Sequence, residues 1–150
     1  FLWIFGDNIE LKFGKIKYLA IYLMWGISSG LINILGDTSS VIPAVGASGA
    51  ISGVLGAYLV IFPRAKIQTA LMMGFFMRMI YIQARWFLPF WLVFQNLLPF
   101  FIGGFGIAGG GVAYLAHIGG FAVGLATGYL YKKTHSSEFT YGTRYGYRPD

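Results

Sequence analysis

Four long apolar segments alternate with short polar ones along this chain. A helix that crosses the roughly 30 Å hydrocarbon core of a bilayer needs about 20 mostly apolar residues. Residues 18–35, 42–62 and 112–131 meet this requirement. Residues 86–105 also meet it despite two prolines, Gln95 and Asn96, because neighbouring helices satisfy polar groups inside a bundle. The pattern predicts an all-α fold, a polytopic bundle of membrane helices.

A fifth apolar segment, residues 67–83, is shorter and carries Arg78. Basic residues cluster in three loops, and the positive-inside rule places such loops in the cytoplasm. They are Lys12, Lys15, Lys17, Arg64, Lys66, Lys132 and Lys133. These loops share one side of the membrane only if residues 67–83 do not cross it. We therefore expect this segment to lie in the interface or to re-enter, with a short tilted span as the alternative.

The composition adds support for a membrane protein. Hydrophobic residues make up 57% of the chain and charged residues only 11%, whereas soluble domains carry about a quarter charged residues. The net charge of +6 comes from cations beside the apolar segments, so we expect a lipid bilayer and no nucleic acid as partner. The chain contains no cysteine, which excludes a disulfide framework and a cysteine metal site.

The ends of the chain differ from its middle. Residues 1–133 form the expected membrane domain, and residues 134–150 are a polar tail rich in Tyr, Gly and Arg that we expect to be disordered. The abrupt apolar start "FLWIF" is typical of the last turns of a helix, so we expect the C-terminal part of a longer protein. The expected location is a multi-pass position in a prokaryotic cell membrane, with the basic loops in the cytoplasm.

Two polar side chains lie near the outer ends of two predicted spans. Ser48 is about six residues, or about 9 Å, from the outer end of one span, and His117 is at a similar depth in another. Both helices carry small residues at a spacing of four, which lets helices approach closely in lipid. These are Gly49 and Gly53 on one helix and Gly120, Gly124 and Gly128 on the other. We therefore expect Ser48 and His117 to meet.

Such a pair would form a nucleophile and its base. A serine hydroxyl is a weak nucleophile until an adjacent imidazole removes its proton. The five acidic residues all lie in predicted loops or tails, so the arrangement is a dyad whose histidine is held by packing or by an unidentified hydrogen bond. The backbone N–H groups of Gly46 and Ser48 are the expected donors to an oxyanion, since N–H groups are free at a helix start. The alternative for Ser48 is plain helix packing.

The segment "GASG", residues 46–49, followed later by "AHIGG", residues 116–120, resembles the rhomboid family of intramembrane serine proteases. The resemblance runs from Phe1 to about Tyr131. It implies a six-helix core, a catalytic dyad of Ser48 and His117, transmembrane proteins as substrates, and no metal or cofactor. By the same resemblance, the helix that begins near Trp86 is the gate through which a substrate enters. The alternative for Trp86 and Trp91 is an interfacial aromatic belt.

Two departures from the family pattern matter. Members carry a histidine and an asparagine that complete the oxyanion hole, and both would lie upstream of Phe1. Some members also place an aromatic residue against the histidine ring, four residues after the serine, where this chain has Ser52. A non-catalytic relative that binds transmembrane helices is therefore the main alternative. A channel or transporter is less favoured, because polar groups lie only near the outer ends.

Overall fold

The computed structural model describes residues 1–36, 38, 47–73, 76–102 and 113–135, and most of these residues are helical. A short π-helix, Leu2–Gly6, leads into α1, Asp7–Phe13. Two longer helices follow, α2 at Lys15–Gly36 and α3 at Ser48–Ile61. Strands β1, Lys66–Met73, and β2, Phe76–Gln83, come next. Helix α4, Ala84–Leu92, continues through a π-helix, Val93–Leu97, into α5, Leu98–Ile102, and α6 spans Tyr114–Thr134.

The helices follow the apolar segments of the sequence. Helix α2 contains the predicted span 18–35, and α3 and α6 occupy most of the spans 42–62 and 112–131. Of the predicted span 86–105, the described residues 86–102 are helical, in three consecutive pieces. Within the described residues, only α2 is long and apolar enough as a single helix to cross a bilayer, and α3 is apolar but shorter. The fold is therefore mostly helical, and the polytopic arrangement stays a prediction.

The all-α prediction is wrong for residues 66–83. Strands β1 and β2 pair antiparallel from Lys66↔Gln83 to Met73↔Phe76. The segment contains three Ile, two Phe, one Tyr and one Thr, residue types that favour the pleated conformation over a helix. The hairpin returns the chain to its starting point, since the Ala84 N–H donates to the Ala65 carbonyl at 2.8 Å and the Arg85 N–H donates to the Pro63 carbonyl at 2.9 Å. Helix α4 consequently begins beside the end of α3.

Helices α3 and α6 make the most extensive helix contact in the described part of the chain. A Cβ atom added to Gly120 would strike the Gly49 backbone, and one added to Gly124 would lie 2.7 Å from the Gly53 carbonyl carbon. The next pair in the same row is Gly128 and Ala57. Because residue numbers rise together along both helices, α3 and α6 run in the same direction with their backbones in contact.

Trp25 ties α2 to this helix pair. Its side chain is fully buried, and it packs against Gly53, where an added Cβ would lie 2.7 Å from the Trp25 Cβ. The indole Nε1–H donates to Thr127 Oγ1 on α6 at 3.1 Å. Other buried side chains extend the core from the N-terminal π-helix to α4: Phe5, Ile9, Val54, Leu55, Ile61, Leu88 and Phe121. The core therefore fixes α3 and α6 relative to α2 and α4.

Gly14 forms the break between α1 and α2. Its backbone has φ 79° and ψ 152°, a region that is essentially restricted to glycine. Gly14→Ala should lower the free energy of unfolding by about 1–3 kcal/mol, although an added Cβ would meet nothing within 4 Å. Unfolding of the detergent-solubilised protein measures this effect, with Gly30→Ala as the control because Gly30 lies inside α2 with open space around it. Equal stability of the two variants would contradict the expectation.

Candidate active site

Ser48 is the first residue of α3 and its side chain is exposed. The first N–H groups of a helix have no partner within that helix, so the Ser48 N–H can donate to a group outside α3. The other predicted donor, Gly46, lies outside the described residues.

His117 lies in the first turn of α6 and is half-buried. Ser48 directly precedes Gly49, which faces Gly120, and His117 comes three residues before Gly120. The parallel contact thus brings Ser48 and His117 to the same end of two touching helices. Within the described residues no hydrogen bond joins the Ser48 hydroxyl to the His117 ring, whose bond is to another side chain.

The His117 ring is held by Asn96. The distance from His117 Nδ1 to Asn96 Oδ1 is 2.7 Å, and Asn96 is only 1% exposed. The amide oxygen only accepts hydrogen bonds, so this contact puts the ring proton on Nδ1 and leaves a lone pair on Nε2. A neutral imidazole in this tautomer can accept a proton at Nε2.

Sequence reasoning missed the contact of Asn96 with His117. The residue was visible as one of two amides in an apolar segment, and a polar residue inside such a segment is a signal of function. Its neighbour Gln95 gave the same signal but is exposed. Only the packing of the π-helix against α6 distinguishes the two amides.

Ser52 occupies the position at which some rhomboids place an aromatic residue against the histidine. Its side chain is 1% exposed, and its hydroxyl donates to the Ser48 carbonyl at 3.0 Å. The Ser52 hydroxyl therefore bonds within its own helix, and the described bond of the His117 ring is to Asn96. No group of three or more metal-binding side chains occurs among the residues that the structure describes.

The sequence matches a family model, the rhomboid domain, over residues 1–134. The chain belongs to the rhomboid family, whose members are membrane proteins and include serine proteases that act on transmembrane substrates. Both residues of the expected dyad fall within the matched region.

Several curated proteins are similar to this chain. Rhomboid protein 1, mitochondrial, of Saccharomyces cerevisiae is 29% identical over 140 residues, which cover 88% of this chain and 36% of the yeast protein. Presenilin-associated rhomboid-like protein A, mitochondrial, of Danio rerio is 34% identical over 47% of this chain and 19% of its own length. Rhomboid protease GluP of Bacillus subtilis is 41% identical over 39% of this chain and 11% of its own length. No solved structure matches the chain.

This chain spans about a third of the yeast relative and less of the other two. The relatives come from mitochondria and from a bacterium. The expected prokaryotic cell membrane and the cytoplasmic side of the basic loops therefore stay predictions.

Proposed function

We propose that this chain belongs to an intramembrane serine endopeptidase that cleaves transmembrane proteins with Ser48 as nucleophile and His117 as general base. One observation carries the proposal: the parallel contact of α3 and α6 brings Ser48 and His117 to the same helix ends, in a family that includes proteases. The tautomer that Asn96 favours, with Nε2 free, is the one that a base needs.

The mechanism follows from these groups. His117 Nε2 takes the proton of the Ser48 hydroxyl while Oγ attacks the scissile carbonyl carbon, and the carbonyl oxygen becomes an oxyanion. The N–H groups of Ser48 and Gly46 donate to this oxyanion. The imidazolium then protonates the leaving amine, the peptide bond breaks, and water hydrolyses the acyl-enzyme with His117 again acting as base.

The membrane setting is part of the proposal. Large apolar side chains are exposed along nearly the whole length of α2, a surface that soluble monomers rarely leave open. They include Ile16, Leu19, Leu23, Ile27, Leu31, Ile34 and Leu35. We place this surface in lipid, with the basic loops in the cytoplasm and the dyad near the outer side. Transmembrane helices diffusing in the same bilayer are then the substrates.

Ser48→Ala in the full-length protein tests the function. The variant should lose cleavage of a reconstituted transmembrane substrate and should lose covalent labelling by a fluorophosphonate probe, because both reactions need the Ser48 oxygen. Ser28→Ala, a half-buried serine on α2, is the matched control and should behave as the wild type. Substrate cleavage by Ser48→Ala at the wild-type rate would refute the protease.

A non-catalytic rhomboid that binds transmembrane helices is the second candidate. It is favoured by one observation, that the Ser48 hydroxyl does not bond to His117 within the described residues. Catalytic hydrogen bonds are often long in sites without substrate and tighten when it binds. The Ser48→Ala experiment distinguishes the two candidates. A binding protein would keep its substrate complex in the variant, and its wild type would show no labelling of Ser48.

A further inference from the structure

We propose that Asn96 is a positioning residue that sets the tautomer and orientation of His117 from the α4–α5 segment. The inference rests on the proposed function for its catalytic consequence, but the Asn96–His117 bond itself can be tested without catalysis. Asn96 touches the base and not the substrate. Its role is to keep His117 Nε2 free for the serine proton.

The level of Asn96 in the fold agrees with that of the dyad. Helix α4 begins beside the end of α3, where Ala84 and Arg85 donate to the 63–65 turn. Asn96 is about 18 Å along the helical segment from Ala84, and Ser48 is about 20 Å along α3 from Ile61. Because α4 begins beside the end of α3, and Asn96 and Ser48 lie at similar distances from that point, Asn96 lies at the level of Ser48.

The π-helix at Val93–Leu97 turns Asn96 toward the core. In an unbroken α-helix, Asn96 would lie about 120° around the axis from Ala84, whereas Ala84, Leu88 and Asn96 are all buried. The Leu98 N–H donates to the Val93 carbonyl, five residues earlier. Such a wider turn rotates less per residue and brings Asn96 back onto the buried side. Single π-turns within helices occur often at functional sites.

The hydrogen bonding of Asn96 argues against a general packing role. Its Oδ1 accepts from His117, but its buried Nδ2 has no hydrogen-bond partner among the residues that the structure describes. An amide with an unused donor is destabilising when buried, so leucine of similar shape would suit packing better. Among the described residues, the one side-chain hydrogen bond of Asn96 is the bond to the proposed base.

Three variants of the full-length protein test the proposal. Asn96→Leu removes the acceptor, Asn96→Asp keeps an acceptor oxygen at the same place, and Gln95→Leu makes the same chemical change at the exposed neighbour. The first readout is the ¹⁵N spectrum of histidine-labelled protein, in which the His117 signal is identified by its loss in His117→Gln. The second is the rate at which a fluorophosphonate labels Ser48, and the third is the unfolding temperature in detergent.

We expect wild-type His117 to carry its proton on Nδ1, and Asn96→Leu to change this spectrum and slow labelling by about 10- to 100-fold. The unfolding temperature of Asn96→Leu should equal or exceed that of the wild type. If Asn96 had a purely structural role, the same substitution would lower the unfolding temperature. Asn96→Asp and Gln95→Leu should label within a few-fold of the wild type. If Asn96→Leu does not accumulate, Asn96→Ala removes the same acceptor without added bulk.

The proposal is overturned if wild-type His117 carries its proton on Nε2, or if the variant that lacks the acceptor leaves the His117 spectrum unchanged. It is also overturned if that variant labels as fast as Gln95→Leu. A wild-type protein without labelling of Ser48 instead refutes the proposed function, and the spectrum then still decides whether Asn96 orients the ring.

Discussion

Replacing His117 by alanine in the full-length protein is expected to slow fluorophosphonate labelling of Ser48 by about 10²- to 10⁴-fold. The serine hydroxyl loses the only base placed at its level in the described residues, the imidazole in the first turn of α6. Cleavage of a transmembrane substrate should fall by a similar factor. The measurement is the rate of probe incorporation into purified protein, normalised to the folded fraction.

The second histidine of the sequence provides the control. His135 follows α6 directly, about 27 Å along the helix axis from His117, and its ring stacks on Tyr131. His135→Ala should label at the wild-type rate. Equal rates for both histidine variants would show that neither ring activates Ser48, and the proposed dyad would be wrong.

Gly124→Ala is expected to have the largest effect on the fold. The added Cβ would lie 2.7 Å from both the carbonyl carbon and the Cα of Gly53, and these backbone atoms can move away only if α3 and α6 separate. Overpacking of this kind costs roughly 1–3 kcal/mol or more. The separation also moves Ser48 away from His117, so the unfolding temperature and the labelling rate should fall together.

Gly30→Ala separates this steric effect from the loss of a glycine as such. Gly30 lies inside α2, and an added Cβ would meet nothing within 4 Å. Its replacement should leave labelling unchanged and stabilise the helix by up to about 1 kcal/mol. If Gly124→Ala were as stable and as reactive as Gly30→Ala, α3 and α6 would not be in backbone contact.

The sequence contained enough local information to predict the long helices. The extent of each apolar segment indicated α2, α3 and α6, because helix length and hydropathy are properties of neighbouring residues. The spacing of glycines likewise indicated which faces admit close approach, and the structure places Gly120 and Gly124 against Gly49 and Gly53. The pairing of Ser48 with His117 as a dyad stays a prediction.

Two features could not be predicted from local patterns. In residues 66–83 apolar side chains occupy neighbouring as well as alternate positions, so the periodicity does not distinguish an interfacial segment from paired strands. The hairpin depends instead on cross-strand partners such as Leu71↔Arg78. The bond from His117 to Asn96 joins residues 21 positions apart. This bond depends on the π-turn that brings Asn96 onto the buried side of its helical segment, and no sequence spacing encodes that turn.

The common direction of α3 and α6 has an electrostatic consequence. Each helix has a macrodipole whose positive end is its N-terminus, and both N-termini lie where Ser48 and His117 are. A negative charge that develops at Ser48 would be stabilised by about 0.3–1 kcal/mol per helix. At the opposite end, Lys132 and Lys133 in the last turn of α6 neutralise the negative pole. In an antiparallel pair with the same contact the two dipoles would cancel. The parallel arrangement of α3 and α6 therefore favours a negative charge at the end where Ser48 and His117 lie.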